Sequence, residues 1–181
     1  MDKMKLPLSP QRTTTGFAFS YIERALQESL ANRKFGQDDM RKIIDFFEFE
    51  PPQCVYCGST EINRWDHLVA VKNDGETVLG NMVPACSKCD DSKRHIAFEV
   101  WMQSDFPNSP KSRGIENIQE RIERINAYTQ HFAYKVRPLE TRLTTDELTK
   151  LGQVRISILQ TRKECEDLIA DYSKRINGKS R

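Results

Sequence analysis

The sequence predicts a mainly α-helical protein built around a small central module of two strands and a helix, pinned by four cysteines. Two observations carry this prediction: paired Cys-x-x-Cys motifs in the middle of the chain, and amphipathic helical patterns on both sides of them. With 181 residues, of which 38% are hydrophobic and 30% charged, the chain is long enough for one or two modest cores. We expect a helical N-terminal segment (1–50) that packs on the central module (51–104), followed by a helical C-terminal region (105–181).

The two cysteine pairs are Cys54-x-x-Cys57 and Cys86-x-x-Cys89, separated by 28 residues (86 − 57 − 1). Four thiolates can meet at one ion in the tetrahedral arrangement that structural zinc adopts, with Zn–S distances near ~2.3 Å. Because a cytosolic chain seldom uses disulfides, we predict a structural zinc that serves as scaffold. The fifth cysteine, Cys165, lies in a helical pattern and is interpreted as a small buried hydrophobe.

The stretch between the cysteine pairs predicts a β-hairpin. Residues 62–71 are rich in β-forming side chains and lack glycine and proline, so we expect a strand there. The sequence Asn73-Asp74-Gly75 is turn chemistry, in which Gly75 accepts a positive φ, and residues 76–79 return as a short second strand. The second cysteine pair then opens a predicted helix from about residue 88 to 104.

An acid-histidine pair, Asp66-His67, lies on the first predicted strand, and Asn81, Asp90 and Lys93 follow it along the chain. Together with the four cysteines, this order resembles the HNH endonucleases of the ββα-metal class, in the version that carries a four-cysteine zinc. The resemblance covers the central module, which is less than a third of the chain. It implies a zinc-pinned ββα-metal fold for that module.

The resemblance also implies a role for each of these residues. His67 would be the general base for a water molecule, and Asn81 would brace the loop that presents it. Asp66 and Asp90 would hold a catalytic Mg²⁺ or Mn²⁺. Asp90 stands where the family has Asn or His, and Ala70 stands where many members have Pro. As a hard oxygen ligand, Asp90 suits Mg²⁺ at least as well as those residues.

The same residue types suit phosphodiester hydrolysis on chemical grounds. A neutral imidazole, with a pKa near ~6.5, is well matched to taking a proton from an attacking water, and two carboxylates can hold Mg²⁺ or Mn²⁺ against a phosphate oxygen. Lys93 lies on the same side of the helix as Asp90, where we expect either a phosphate contact or a tether behind the site. Asp91 and His95 are the runner-up ligands, although His95 is badly placed for the face that carries Asp90.

The adjacency of Asp66 and His67 raises a geometric difficulty. Strict strand alternation places their side chains on opposite faces. Both can reach one site only where the strand bulges or curls at its end, and the resemblance implies such a bulge.

The first fifty residues predict two helices. Residues 17–34 place an apolar stripe on one side, after a cap supplied by the threonines at 13–15. Asp38 or Asp39 is expected to cap a second helix that runs through the aromatic residues at 46–49. Those aromatic residues are interpreted as core.

The C-terminal region predicts two more helices after a basic loop over 106–114. The first spans about 115–134, and the second begins at a capping box formed by Thr144 and Glu147 and runs to about Ile176. This last helix carries more apolar surface than one neighbour needs, so we expect a homodimer through it. The alternative is that its apolar residues close the core of the monomer.

We therefore predict a metal-dependent endonuclease that cuts double-stranded DNA, of the restriction type or carried by a phage or mobile element. The competing interpretations are a non-catalytic zinc ribbon that binds DNA or protein, and an RNA-directed nuclease. The net charge is +2, and residues 105–181 carry 15 basic against 11 acidic side chains, which is compatible with phosphate contacts. No apolar run approaches a membrane span and no secretion signal is recognisable, so we expect a cytoplasmic protein.

Overall fold

A computed structural model describes residues 14–31 and 34–177 of the chain. Helices predominate in the described part, and one antiparallel pair of strands lies near its middle. This confirms the predicted mainly α fold with a small strand-strand-helix module. The elements are α1 (Thr15–Leu30), α2 (Gln37–Phe46), β1 (Arg64–His67), β2 (Met82–Ala85), α3 (Ser87–Lys93), α4 (Phe98–Met102), α5 (Ile118–His131) and α6 (Thr145–Asn177).

The described residues fall into two compact units. One comprises residues 26–31 and 34–144, and it contains the cysteine pairs and the hairpin. The other combines residues 14–25 with 145–177. The two C-terminal helices follow the predicted ranges closely, with α6 ending one residue beyond the predicted Ile176. None of the described helices is both long enough and apolar enough to span a bilayer.

The core of the larger unit is built around aromatic side chains from α2, α4, α5 and the first cysteine motif. Tyr56 meets Trp101 edge to face, with ring centroids 5.3 Å apart. Phe47 lies 5.2 Å from Tyr128 by the same measure. All four side chains are almost completely buried. The predicted core role of the aromatic run at 46–49 is therefore confirmed.

The second strand lies at residues 82–85 and not at the predicted 76–79. The register pairs Arg64 with Ala85 and His67 with Met82. The main chain of residues 76–79 is instead held in a loop, because the carbonyl of Glu76 accepts a hydrogen bond from a side chain and its N–H donates to another. Loop contacts therefore replace strand pairing at this point.

The predicted turn at 73–75 is also built differently. Residues Val71–Asn73 form a single 3-10 turn, and Asp74 adopts the positive φ, of 64°. Gly75 is required for another reason, since a Cβ at this position would lie 1.7 Å from the carbonyl oxygen of Val69. Glycine here permits a close approach of two backbone segments.

The single helix predicted over 88–104 is divided into α3 and α4. The break is at Arg94, whose φ of 54° and ψ of −117° turn the chain away from the axis of α3. The two helices remain in contact, because the indole N–H of Trp101 donates to the hydroxyl of Ser92 at 2.9 Å. The break places the residues after Lys93 outside the helix that carries Asp90.

Helix α1 begins as predicted but is not buried as predicted. The hydroxyl of Thr14 accepts a hydrogen bond from the N–H of Phe17 at 3.2 Å, which confirms the cap at Thr14, whereas Thr13 lies outside the described residues. The expected apolar stripe is wrong for Phe17 and Tyr21, which are 64% and 65% exposed. No residue of α1 among those described is fully buried.

Helix α2 is capped two residues before Asp38, the nearer of the two predicted cap residues. Its cap residue is Gly36, and the carboxylate of Asp39 accepts a hydrogen bond from the N–H of Gly36 at 2.9 Å. Asp38 instead pairs with Arg41 at the surface. An aspartate therefore does accept a hydrogen bond from a backbone N–H at the start of the helix, as predicted. It lies in the first turn and not at the cap position.

Candidate active site and metal centre

The four predicted cysteines come together in the folded chain. Their sulfur atoms all lie within 4.8 Å of one another, and those of Cys57 and Cys86 are 3.7 Å apart. A zinc ion with Zn–S bonds of ~2.3 Å holds tetrahedral ligands about 3.8 Å apart. The donor set and the spacing therefore fit a structural zinc.

Turns in the backbone bring each cysteine pair to this point. The N–H of Gly58 donates to the carbonyl of Cys54 at 2.8 Å, and Gly58 takes a φ of 77° that favours glycine. In the second pair, the N–H of Cys89 donates to the carbonyl of Cys86 at 3.1 Å. Arg113, from the loop after α4, donates to the sulfur of Cys89 at 3.3 Å.

Hydrogen bonds among the sulfur atoms separate the acidities of the thiols. The bond between Cys54 and Cys57 raises the pKa of Cys54 to about 12 and holds the pKa of Cys57 far below its ordinary value. The pKa of Cys89 is raised, chiefly by its contact with Cys54. The thiolate is the form of cysteine that binds a metal ion.

Asp66 is buried between a tyrosine and a lysine. Its Oδ2 accepts a hydrogen bond from the hydroxyl of Tyr56 at 2.7 Å and pairs with the Nζ of Lys93 at 3.0 Å. Lys93 is fully buried, and the same Nζ donates to the carbonyl of His67 at 2.6 Å. Of the two roles expected for Lys93, this contact supports the tether and not the phosphate contact.

Asp90 lies in the first turn of α3, close to Asp66. The pKa of Asp90 is raised from 3.8 to about 6, chiefly by burial and next by the charge of Asp66. The nearest cation to Asp90 that the structure records is Arg64, at 3.7 Å and half exposed. Two neighbouring carboxylates form the type of site that binds a divalent cation.

His67 is the last residue of β1 and is half-buried. Its Nε2 lies 2.9 Å from the hydroxyl oxygen of Thr77. The predicted bulge is wrong, because the strand pairing runs without interruption from Arg64 to His67. The side chains of Asp66 and His67 therefore contact different partners, as strand alternation requires.

Asn81 is completely buried and holds the loop that follows His67. Its Oδ1 accepts a hydrogen bond from the N–H of Val69 at 2.8 Å. Its Nδ2 donates to the carbonyl of Val69 at 3.1 Å and to the carbonyl of Glu76 at 2.8 Å. The bonds to Val69 join the two ends of the loop between the strands and the bond to Glu76 holds its middle, so the side chain fixes the shape of the loop.

The two runner-up ligands lie apart from this arrangement. Asp91 is exposed on α3. His95 is exposed beyond the end of α3, and its carbonyl oxygen accepts a hydrogen bond from the side chain of Asn73 at 3.1 Å. The break at Arg94 explains why a residue predicted to share the helix with Asp90 does not do so.

Residues 54–95, from the first cysteine of the cluster to His95, match the family model of the HNH endonuclease. The chain contains an HNH endonuclease domain. Over 120 residues it is 28% identical to a protein of Bacillus subtilis that carries the name HNH endonuclease YoqL and derives from the SPbeta prophage, covering 59% of this chain and 50% of the relative. Over 126 residues it is 26% identical to a CRISPR-associated endonuclease Cas9 of Actinomyces naeslundii, covering 67% of this chain and 10% of the relative.

The chain thus matches half the length of the first of these relatives and a tenth of the second. No solved structure matches the chain. The HNH domain is accordingly identified by its own residues and by sequence similarity to proteins named as endonucleases.

Residues outside the HNH domain support its inter-strand loop, and sequence reasoning missed them. The hydroxyl of Tyr128 accepts a hydrogen bond from the N–H of Gly80 at 2.9 Å and donates to the carbonyl of Met82 at 2.8 Å. The carboxylate of buried Glu76 pairs with Arg137 at 2.8 Å. These contacts join residues 46 to 61 positions apart, so no local pattern in the sequence announces them.

Proposed function

We propose that this protein is a metal-dependent endonuclease that hydrolyses phosphodiester bonds in double-stranded DNA, with His67 as the general base. The observation that supports this most directly is the pair of neighbouring carboxylates, Asp66 and Asp90, next to the strand that ends at His67 inside an HNH domain. Both relatives carry the name endonuclease, which agrees with the proposal.

Each residue has a defined task in this mechanism. His67 accepts a proton from the water that attacks phosphorus. Asp66 and Asp90 hold a divalent cation, and Lys93 with Tyr56 fixes the orientation of Asp66. When bound, the cation, Mg²⁺ or Mn²⁺, stabilises charge that develops on the phosphate and on the leaving oxygen.

The four-cysteine cluster is proposed as a structural zinc site. It contributes no group to the reaction, and it ties the start of α3, where Asp90 lies, to the segment that leads into β1. Zinc would stabilise the folded state, because the two distant cysteine motifs form a common site for the ion only when the chain is folded. The relative of prophage origin favours a phage-borne nuclease over a restriction enzyme.

Cleavage of supercoiled plasmid with and without Mg²⁺ or Mn²⁺ tests the activity. Because loss of a general base affects the chemical step selectively, His67→Ala should cut at least ~10²-fold more slowly and still bind DNA. His95→Ala is the matched control and should cut normally. Near-normal cleavage by His67→Ala, or a wild-type protein that binds DNA and never cuts it, would contradict the proposal.

We further propose that the protein forms a homodimer through α6. The second half of this helix exposes a stripe of large apolar side chains, and helical spacing places Glu164 and Arg175 along the same flank of that stripe. In an antiparallel pair, Glu164 of each copy would lie near Arg175 of the other, which complements the charges. The stripe consists of Leu168, Ile169, Tyr172 and Ile176.

A dimer would supply two nuclease sites related by a two-fold axis, which is the simplest arrangement for a double-strand break at a defined place. Light scattering at micromolar concentration tests it with a matched pair of variants. Ile169→Asp should yield the monomer mass, whereas Ile156→Asp should leave the dimer intact, because Ile156 is exposed on the opposite side of α6. A wild-type protein that stays monomeric with and without DNA would contradict the dimer.

A further inference from the structure

We infer that Thr77 is a positioning residue for His67, an inference that rests on the proposed nuclease function. The Nε2 of His67 and the Oγ1 of Thr77 lie 2.9 Å apart, which is an ordinary hydrogen-bond distance. Both side chains are half-buried. The hydroxyl of Thr77 therefore meets the imidazole at the nitrogen farther from the main chain.

The threonine hydroxyl can accept a hydrogen bond from Nε2–H or donate one to Nε2. In the inferred arrangement it accepts, so that Nε2 carries the proton and the lone pair is left on Nδ1. As water attacks phosphorus, one O–H bond of the water breaks, its proton forms an N–H bond at Nδ1, and the P–O bond to the leaving oxygen breaks. The imidazolium that results still donates Nε2–H to Thr77.

Thr77 can hold the imidazole because its own position is fixed from both sides. On one side, the N–H of Glu76 donates to the hydroxyl of Tyr134 at 3.2 Å, and its carbonyl accepts from Asn81 at 2.8 Å. On the other side, the carbonyl of Val78 accepts from the N–H of Asn81 at 3.1 Å and from that of Met82 at 3.2 Å. The hydroxyl is thus presented by an anchored segment of the loop.

The same anchoring separates this contact from a chance surface hydrogen bond. The carboxylate of Glu76, next to Thr77, is buried and paired with Arg137 at 2.8 Å. A side chain restricts the orientation of its hydrogen-bond partner more strongly when its own backbone is fixed than when that backbone is mobile. The structure therefore assigns to Thr77 the orientation of the base, and donation from Nε2 in that orientation leaves Nδ1 to take the proton.

The test combines kinetics with a spectroscopic signature in the full-length, zinc-loaded protein. Thr77→Val preserves the shape of the side chain and removes the hydroxyl, Thr77→Ser retains the hydroxyl, and Thr60→Val is the control at an exposed threonine of the same domain. We expect Thr77→Val to lose about 10-fold in kcat with KM nearly unchanged, and Thr77→Ser to recover most of that loss.

Nitrogen-15 NMR of the histidines shows which ring nitrogen carries the proton. The wild-type protein and Thr77→Ser should show His67 protonated at Nε2 near neutral pH, and Thr77→Val should show a mixture of the two neutral forms. A wild-type His67 protonated at Nδ1, or a Thr77→Val variant with wild-type kcat, would overturn the inference. A wild-type protein that cuts no DNA contradicts the proposed function instead, and the NMR result then still decides whether Thr77 selects the form of His67.

Discussion

Asp90 connects the electrostatics of the site to the stability of the fold. Its pKa is raised from 3.8 to about 6, so the folded protein holds this proton more tightly than the unfolded chain does. Stability should therefore fall as the pH rises from about 4 to about 6 and stay lower above that range. Asp90→Asn removes this penalty. Without added Mg²⁺, its melting temperature should exceed that of the wild type by about 3 °C at neutral pH, and the two should converge below about pH 4.

Thermal unfolding between acid and neutral pH checks this prediction, with Asp91→Asn as the control on the exposed side of α3. Added Mg²⁺ should raise the melting temperature of the wild type and leave that of Asp90→Asn unchanged, because the cation relieves the repulsion between Asp66 and Asp90. Identical melting temperatures of wild type and Asp90→Asn at neutral pH would show that the fold does not disfavour the ionised form of Asp90.

Residues that recognise an ion or a backbone segment by their own chemistry could be predicted from the sequence. The spacing of the cysteines predicts a four-cysteine cluster that can hold a metal ion, and an asparagine such as Asn81 brings three hydrogen-bonding groups wherever it is buried. Thr77 and Tyr56 could not be predicted in the same way. Each acts through a single hydroxyl on a partner ten positions away, and no spacing in the sequence indicates which partner a hydroxyl will bind.

The break between α3 and α4 is expected to lower the free energy of unfolding, and substitution of Arg94 tests this. Arg94 has a φ of 54° and a ψ of −117°, a conformation that glycine adopts without steric penalty and other residues do not. Arg94→Gly should therefore stabilise the protein by about 1 kcal/mol in urea unfolding.

Arg94→Ala is the matched variant for this measurement. It removes the same side chain, including the contact of its Nε with the carbonyl of Asp91 at 3.3 Å, without relieving the backbone. It should be no more stable than the wild type. Equal stabilisation by glycine and alanine would mean that the side chain, and not the backbone conformation, is the source of the effect.

The second strand was predicted at the wrong residues, because local β-propensity does not decide which of two neighbouring segments pairs with β1. Residues 76–79 contain better β-formers than residues 82–85, which include Pro84. Proline is tolerated in β2 because a two-stranded sheet consists of edge strands, and the carbonyl of Pro84 accepts a hydrogen bond from Val55 of the first cysteine motif. All four residues of β2 are buried, so no alternation marks the strand.

At the scale of the whole molecule, the HNH domain depends on helices that the family pattern does not include. Tyr128 of α5 and Phe47, the residue that follows α2, form part of the core on which the hairpin lies. A fragment of residues 51–104 loses both, and we expect it to remain unfolded even with zinc, because too little apolar surface stays buried. A fragment of residues 26–144 keeps them and should fold with one zinc per chain.

Dispersion in proton–nitrogen NMR spectra, together with elemental analysis for zinc, distinguishes the two fragments. The longer fragment serves as the positive control for zinc loading and handling. If residues 51–104 alone gave a well-dispersed spectrum, the contacts from α2 and α5 would be accessory to the fold and not part of its foundation.

The charges around the acidic pair reach electroneutrality without any ion. Asp66 and Asp90 contribute two negative charges, and Lys93 at 3.0 Å and Arg64 at 3.7 Å contribute two positive ones. A divalent cation that enters this balanced site leaves it with an excess of two positive charges, and the DNA backbone supplies the compensating anions. Cation and DNA should therefore bind with positive thermodynamic linkage, and the Mg²⁺ concentration for half-saturation should fall when an uncleavable duplex is present.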